Sequence, residues 1–348
     1  MNSIWQEFLE QRNAEINDNH IVSFGDPQQE RDTTASGHVI ADLSAYGLIR
    51  AQGEDAETFL QNQFTNDVKL VSDTHSQISA YCSPKGRMLA IFRLFKRGDC
   101  YYLRLPRSIL EATLKRLRMY ILRSKVTLED ASDELVRLGF AGPEAPQKLA
   151  SILKTVPAES NAVIQHDGIT LIRLPGALPR YECHAEAETL VPLWQRLARQ
   201  AVPVGTDCWH WLTIHAGVPE ISPRTIDTFV PQMANLTALG GISFSKGCYP
   251  GQEVVARMHY LGKLKRRMYL AHVESTTLPL PGDNLYTSAE AEQSAGKVVQ
   301  AQFAPGGGVD LLAVIQIASA EKEALHLESE SGPVLKLLDL PYTVTNEA

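Results

Sequence analysis

Eight consecutive residues, Lys246-Gly247-Cys248-Tyr249-Pro250-Gly251-Gln252-Glu253, place a cation, a thiol, two glycines and a carboxylate in one short stretch. Gly247 and Gly251 flank Pro250, so the backbone can turn tightly and bring its N–H groups and the Cys248 sulfur up to a ligand. A thiol near Lys246 and near a helix N-terminus would be favoured as thiolate, the form that acts as nucleophile or soft-metal ligand. The plainer alternative is a strand-to-helix turn in which Lys246 and Glu253 are solvated and Cys248 is a small buried hydrophobe.

A second stretch, Asp207-Cys208-Trp209-His210-Trp211, offers two indoles two residues apart. On a helix or a strand that spacing points them to different sides, so at most one can face a site. A third feature is charge. Residues 85–125 carry twelve Lys/Arg against two acids, and residues 257–267 carry five with none, in a chain of net charge −7. A segregated basic face favours an anionic partner such as a polyglutamate tail, a phosphate or RNA, whereas a solvated helix face needs no partner.

The elements that position these residues can be read in order. Ile4, Trp5, Phe8 and Leu9 mark a short amphipathic N-terminal helix with no basic start of the secretory kind. Residues 17–37 are polar and broken by Gly25, Pro27 and Gly37, which predicts a loop or tether. A strand at 45–50 and a helix at 54–61 lead to Thr65-Asn66-Asp67, expected as a closing turn. Strands at 77–82, 88–95 and 100–105, separated by turns at Pro84-Lys85-Gly86 and Arg97-Gly98-Asp99, predict an antiparallel meander. Pro106 then starts a helix with apolar residues at helical spacing from Ile109 to Ile121. A further α+β unit is expected from Val126 to about Ala216, and from Lys265 onward short strands and turns predict a small antiparallel barrel.

At 348 residues, with 44% hydrophobic and 21% charged, the chain is long enough for two or three domains and reads as neither disordered nor membrane-embedded. It has no run of the roughly 20 apolar residues that a membrane span needs. Its five cysteines, Cys82, Cys100, Cys183, Cys208 and Cys248, include no C-x-x-C pair. That excludes zinc-ribbon and ferredoxin-like cluster motifs, and an odd count without a framework fits reduced thiols in the cytoplasm.

Lys246 to Glu253, followed by Val255-Ala256-Arg257 and Gly262-Lys263-Leu264-Lys265-Arg266, resembles the YgfZ-type folate-binding proteins, relatives of the aminomethyltransferase of the glycine cleavage system. The likeness extends over residues 38–348 and takes in Thr65-Asn66-Asp67 and the run Phe229 to Leu236. It implies an α+β, GcvT-like fold of two interlocked α+β domains followed by a C-terminal antiparallel β-barrel. The corresponding domain boundaries are 1–37 for the helix and tether, 38–262 for a body whose lobes divide near 126–135, and 263–348 for the barrel.

The resemblance also implies tetrahydrofolate or a derivative as ligand. Trp209 matches the tryptophan that the family sets against folate, leaving Trp211 for the core, and Tyr46 stands where the family has an aromatic, often tryptophan. Lys85, Arg87 and Arg257 are candidate contacts for the anionic tail. The related aminomethyltransferase has a Gly-Gly-x-x-Asp-Asp run where this chain reads Lys85-Gly86-Arg87-Met88-Leu89-Ala90, and its Gly-Tyr-Thr-Gly-Glu run is absent around Pro175 to Pro179. Leucine and alanine cannot replace a carboxylate in charge stabilisation, so aminomethyl transfer is not expected.

The family is implicated in assembly or repair of iron–sulfur enzymes, including those that thiolate tRNA. By that resemblance Cys248 would engage a cluster or sulfur intermediate transiently, since one cysteine cannot hold a cluster, and no permanent metal is expected. The implied partners are folate, client iron–sulfur enzymes and a possible tRNA contact, for a cytoplasmic monomer with no membrane association. Two further readings are a direct tRNA-binding module and a residual folate-dependent one-carbon transferase.

Overall fold

The computed structural model describes residues 1–287 and 294–344. The chain forms two compact units that exchange segments: Met1–Phe59, Lys69–Gln77 and Arg93–Leu212 make one, and Leu60–Val68, Ile78–Phe92 and Thr213–Ala348 make the other.

The first unit opens with the helix Ser3–Glu10, capped by the Asn2 side chain on the Trp5 N–H. Its Trp5, Phe8 and Leu9 are buried, and Trp5 meets Trp194 edge to face at 5.6 Å. Burial of such side chains contributes about 1.5–3 kcal/mol each, which explains why so short a helix is stable. Trp5 Nε1 donates to Asp42 Oδ1 at 2.6 Å, satisfying a carboxylate that is wholly buried.

Residues 17–37, expected as a polar tether, instead carry the strand His20–Ser23 and the helix Pro27–Ser36. Asp26 caps that helix, Pro27 occupies its first turn, and the buried Glu30 accepts from the N–H groups of Phe24 and Gly205. The polar composition reads as a loop only until these long-range acceptor contacts are known.

A six-stranded sheet follows the order Val163–His166, Ile169–Leu174, Arg180–Ala185, Val136–Ala141, Val39–Asp42, Val202–Val204, all antiparallel except the last pair. Its strands Val136–Ala141 and Arg180–Ala185 are buried along their whole length. The strands Gln77–Cys82, Met88–Arg97 and Cys100–Pro106 lie side by side as the meander predicts, and Tyr46–Gln52 and Thr127–Asp130 extend their sheet. The stretch with two tryptophans is helical, Thr206–His215.

In the second unit a six-stranded antiparallel sheet runs from Leu325–Leu327 through Asn284–Thr287, Gly296–Phe303, Val309–Gln316 and Arg266–Val273 to Leu335–Leu338. His326 bridges to Val334, so the two edges nearly meet and the sheet is almost closed into the expected barrel. Its apolar interior includes Val273, Val298, Leu311, Ala313, Ile315 and Leu327. The expected barrel range 263–348 includes residues 288–293 and 345–348, which lie outside the described residues. No helix among the described residues is long and apolar enough to cross a membrane.

Candidate functional site: a clamped thiol loop and a buried carboxylate

The thiol loop is held by its lysine. Lys246, 9% exposed, donates from Nζ to the main-chain carbonyls of Gln61 at 2.6 Å, Phe64 at 2.6 Å and Asn66 at 2.9 Å. An ammonium has three donors, and all three are used here, so none is left for the Cys248 sulfur. Burial lowers the Lys246 pKa to about 8, against the opposing pull of Asp67. The ammonium also stands 5.4 Å from the centre of the Tyr249 ring, a buried ring whose phenol burial pushes up. Lys246 is therefore a buried clamp, not a solvated cation.

The socket is the Thr65-Asn66-Asp67 run. Thr65 Oγ1 donates to the Gly241 carbonyl at 2.7 Å, and Asn66 Nδ2 to those of Gly240 at 2.7 Å and Ile78 at 2.9 Å. The Ser243 N–H returns to the Thr65 carbonyl at 2.9 Å. Residues that read as a closing turn thus hold the whole approach to the loop.

Gly251 adopts φ +80°, and a Cβ there would stand 2.4 Å from the Ser83 carbonyl and 2.6 Å from Gly86 Cα. Gly86, at φ +69°, would meet Val254 Cβ at 2.8 Å. The hairpin turn and the loop therefore cross backbone against backbone, which only glycines permit. The crossing brings Lys85 and Arg87, both exposed, beside the loop, and Arg87 donates to the carbonyls of Asp227 and Thr228.

Gly251 is also the N-cap of the helix Gln252–Leu261, so Gln252 and Glu253 open its first turn, and the exposed Arg257 follows one turn later. Gly247 is open, and a Cβ added there would have nothing within 4 Å. Cys248 is exposed, whereas Cys82, Cys183 and Cys208 are buried and Cys100 is half-buried. Burial pushes the Cys82 thiol up to about 12 and that of Cys208 up to about 11, leaving both unreactive.

In the first unit Tyr46 and Trp209 share one apolar cluster with Leu48, Phe95, Leu174 and Leu212. Each ring is 1% exposed. Trp209 lies on Gly139, where a Cβ would sit 2.5 Å from the indole, and the Arg180 guanidinium is 5.7 Å from its ring. Arg104 covers Tyr46 at 4.2 Å. Trp211, expected as the core indole, is only half-buried against this cluster, because the inward face of the helix is taken by Cys208, Trp209 and Leu212.

Beside these rings stands an acid that no motif in the sequence marks. Glu182 is wholly buried on the strand Arg180–Ala185. Arg104 Nε lies 3.0 Å from its Oε1, close enough for charge attraction but off the direction that a hydrogen bond requires. Arg93 Nε and His184 Nε2 are each 4.0 Å from Oε2. Among the described residues, neither carboxylate oxygen and neither ring nitrogen of His184 has a hydrogen-bond partner. Burial, reinforced by Arg137, Arg104, Arg97 and Arg93, holds the His184 pKa well below its usual value, so the ring is neutral. Burial likewise lowers Arg93 to about 9. The available signal was Arg180, Glu182 and His184 alternating along one face of a strand.

This cluster also divides the basic stretch 85–125, which does not form one solvent-facing surface. Arg93 and Arg104 turn toward Glu182, Arg97 donates to the Gly168 carbonyl, and Arg118 to that of Leu128. Strand alternation sends a regular share of these side chains inward, which a charge count does not register. Among the described residues no group of His, Cys, Asp and Glu could hold a metal ion.

Residues 21–241 match the family model described as the GCVT N-terminal domain. A tRNA-modifying protein YgfZ from Photorhabdus laumondii is 34% identical over 88% of this chain and 92% of its own. Its namesake from Colwellia psychrerythraea is 31% identical over 88% and 94%. Among solved structures, the glycine cleavage system aminomethyltransferase T from Bartonella henselae superposes with a TM-score of 0.73 at 16% identity, covering 98% of this chain and 97% of that one, so the two share a fold. The chain therefore belongs to the family that carries a GCVT N-terminal domain and, within it, to the YgfZ proteins.

Proposed function

We propose that this chain serves tRNA modification as a tetrahydrofolate-binding accessory protein that supports assembly or repair of iron–sulfur enzymes, tRNA-thiolating ones among them. The observation that carries the reading is the exposed Cys248 sulfur on a loop whose backbone is pinned by Lys246 and by the Gly86–Gly251 crossing. A thiol on a rigid mount, in a chain whose other cysteines are buried or half-buried, suits transient contact with a cluster or a sulfur intermediate.

Folate is supported by the Glu182 cluster. A pteridine presents an aminopyrimidine edge with N–H donors, and Glu182 has two buried carboxylate oxygens without hydrogen bonds. The chain's residues would hold such a ligand through that carboxylate, with neutral His184 beside it and with Arg104 and Arg180 carried on the faces of Tyr46 and Trp209. Lys85, Arg87 and Arg257, the cations expected to meet an anionic tail, are exposed on the second unit. When bound, a reduced folate supplies one ring and one bridge nitrogen able to carry a one-carbon unit.

Titration with tetrahydrofolate, followed by tryptophan fluorescence, tests the ligand. Saturable quenching is expected, weakened about tenfold in Glu182→Gln, as loss of one charge-assisted hydrogen bond predicts. The Trp209→Phe variant, which keeps a buried ring, should bind with much of the quenching gone. Absence of saturable binding to the wild type removes folate from the proposal. In cells that depend on this chain, Cys248→Ala should lower thiolated tRNA, and unchanged levels would remove the thiol role.

A further inference from the structure

The second unit contains a cavity of about 980 Å³ that the thiol loop and Glu182 do not use. It lies among residues 231–238, the end of the helix Gln252–Leu261, the start of the strand Arg266–Val273 and the helix Ile317–Lys322.

Three kinds of group line it. Gln232 and Asn235 are 5% and 2% exposed, and their amide nitrogens are committed to the main chain: Gln232 Nε2 to the Val255 carbonyl at 2.6 Å, Asn235 Nδ2 to that of Met268 at 2.9 Å. That orientation leaves Gln232 Oε1 and Asn235 Oδ1 buried and, among the described residues, without a hydrogen bond, as is Thr237 Oγ1. Lys263, Lys265 and Arg267 supply positive charge, against one lining carboxylate among the described residues, that of Glu321. Met258, Leu264 and Ile317 supply an apolar wall.

Each kind of group selects a ligand feature. Buried acceptors without donors carry an uncompensated desolvation cost, which a ligand with N–H donors recovers. An excess of cations selects an anion, and an apolar wall selects a flat ring. The volume falls in the range of small-molecule sites, roughly 300–1,000 Å³. An amino-bearing base joined to a phosphate combines all three. Adenine and cytosine present an exocyclic amine, whereas uracil presents a carbonyl oxygen at that position, which two amide oxygens would repel.

We propose that this cavity binds a nucleotide whose base carries an exocyclic amine, with the amine at Gln232 and Asn235 and the phosphate at Lys263 and Lys265. Free nucleotide and single-stranded RNA share this chemistry. The choice of RNA rests on the tRNA reading above, and one further feature favours it. On the helix that walls the cavity, Arg257 and Tyr260 are exposed, and Tyr260 stands edge-on to the stacked Phe244–His259 pair. An exposed aromatic beside cations is what a neighbouring base and phosphate use in single-strand binding.

The test is calorimetric titration of the full chain with AMP, CMP and UMP, and anisotropy with fluorescein-labelled oligoribonucleotides ACCA and UUUU. AMP and CMP should bind about tenfold or more tightly than UMP. Ala238→Trp, at an exposed lining position, should abolish binding by filling the cavity. Lys263→Glu with Lys265→Glu should weaken it about tenfold and flatten its salt dependence. Both variants should keep the wild-type melting temperature and tetrahydrofolate titration, so failure here and failure of the folate reading are separately visible. ACCA binding well above AMP identifies RNA as the source, and parity identifies the free nucleotide; either supports the site. Absence of binding to the wild type, parity of UMP with AMP, or indifference to Ala238→Trp overturns it.

Discussion

Replacing Lys246 by methionine separates a structural clamp from a chemical lysine. Methionine keeps the length and apolar stem but leaves the carbonyls of Gln61, Phe64 and Asn66 without their donor. Hydrogen bonds from a charged donor contribute about 1.5–3 kcal/mol each, and relief from burying a cation offsets part of the loss. A net destabilisation of about 3 kcal/mol follows, and a unit of this size then melts about 6–12 °C lower. Calorimetry on both proteins measures it directly. The pH dependence adds a second reading, because the folded state releases this proton near pH 8 and the unfolded state near 10.5. Between those values the unfolded chain binds more protons, so the wild type gains stability relative to the methionine variant as pH rises. A melting temperature within about 2 °C of wild type, with thiol reactivity lost instead, would refute the clamp and return Lys246 to the chemistry of Cys248.

Gly251→Ala should destabilise the second unit by about 2–4 kcal/mol, from positive φ and the overlap with the Ser83 carbonyl, while Gly247→Ala, which meets nothing within 4 Å, should be near neutral; paired melting curves check both. An aromatic disulfide reagent applied to the native protein should titrate one fast thiol, and Cys248→Ala should abolish that phase, whereas a fast phase surviving in the variant places the reactive sulfur elsewhere. Burial opposes charge on His272, but hydrogen bonds to Asp310 and Glu274 outweigh it and raise the pKa, with His215 on the other oxygen of Asp310. Its stabilisation is thus complete below about pH 6.5 and is lost as pH rises through the higher folded value. Melting of the barrel should fall over that interval and flatten in His272→Asn, and an unchanged slope rejects the assignment.

The residues themselves determined whatever depends on near neighbours. Strands at 77–82, 88–95 and 100–105 and the helix after Pro106 follow from alternation, helical spacing and turn residues, and the structure has them at Gln77–Cys82, Met88–Arg97, Cys100–Pro106 and Arg107–Arg118. Gly251 and the mixed octapeptide likewise announced a tight turn carrying a thiol. Partners far along the chain were decided by the tertiary structure alone. Lys246 finds its three carbonyls some 180 residues upstream, Glu30 finds Gly205, and the basic stretch 85–125 is divided by Glu182. A cation or an acid has no local signature for burial, since its charge is equally at home in water. Only the carbonyls, guanidinium groups and N–H donors that folding gathers around it offset the cost of leaving solvent, and those are supplied by segments that no local window contains.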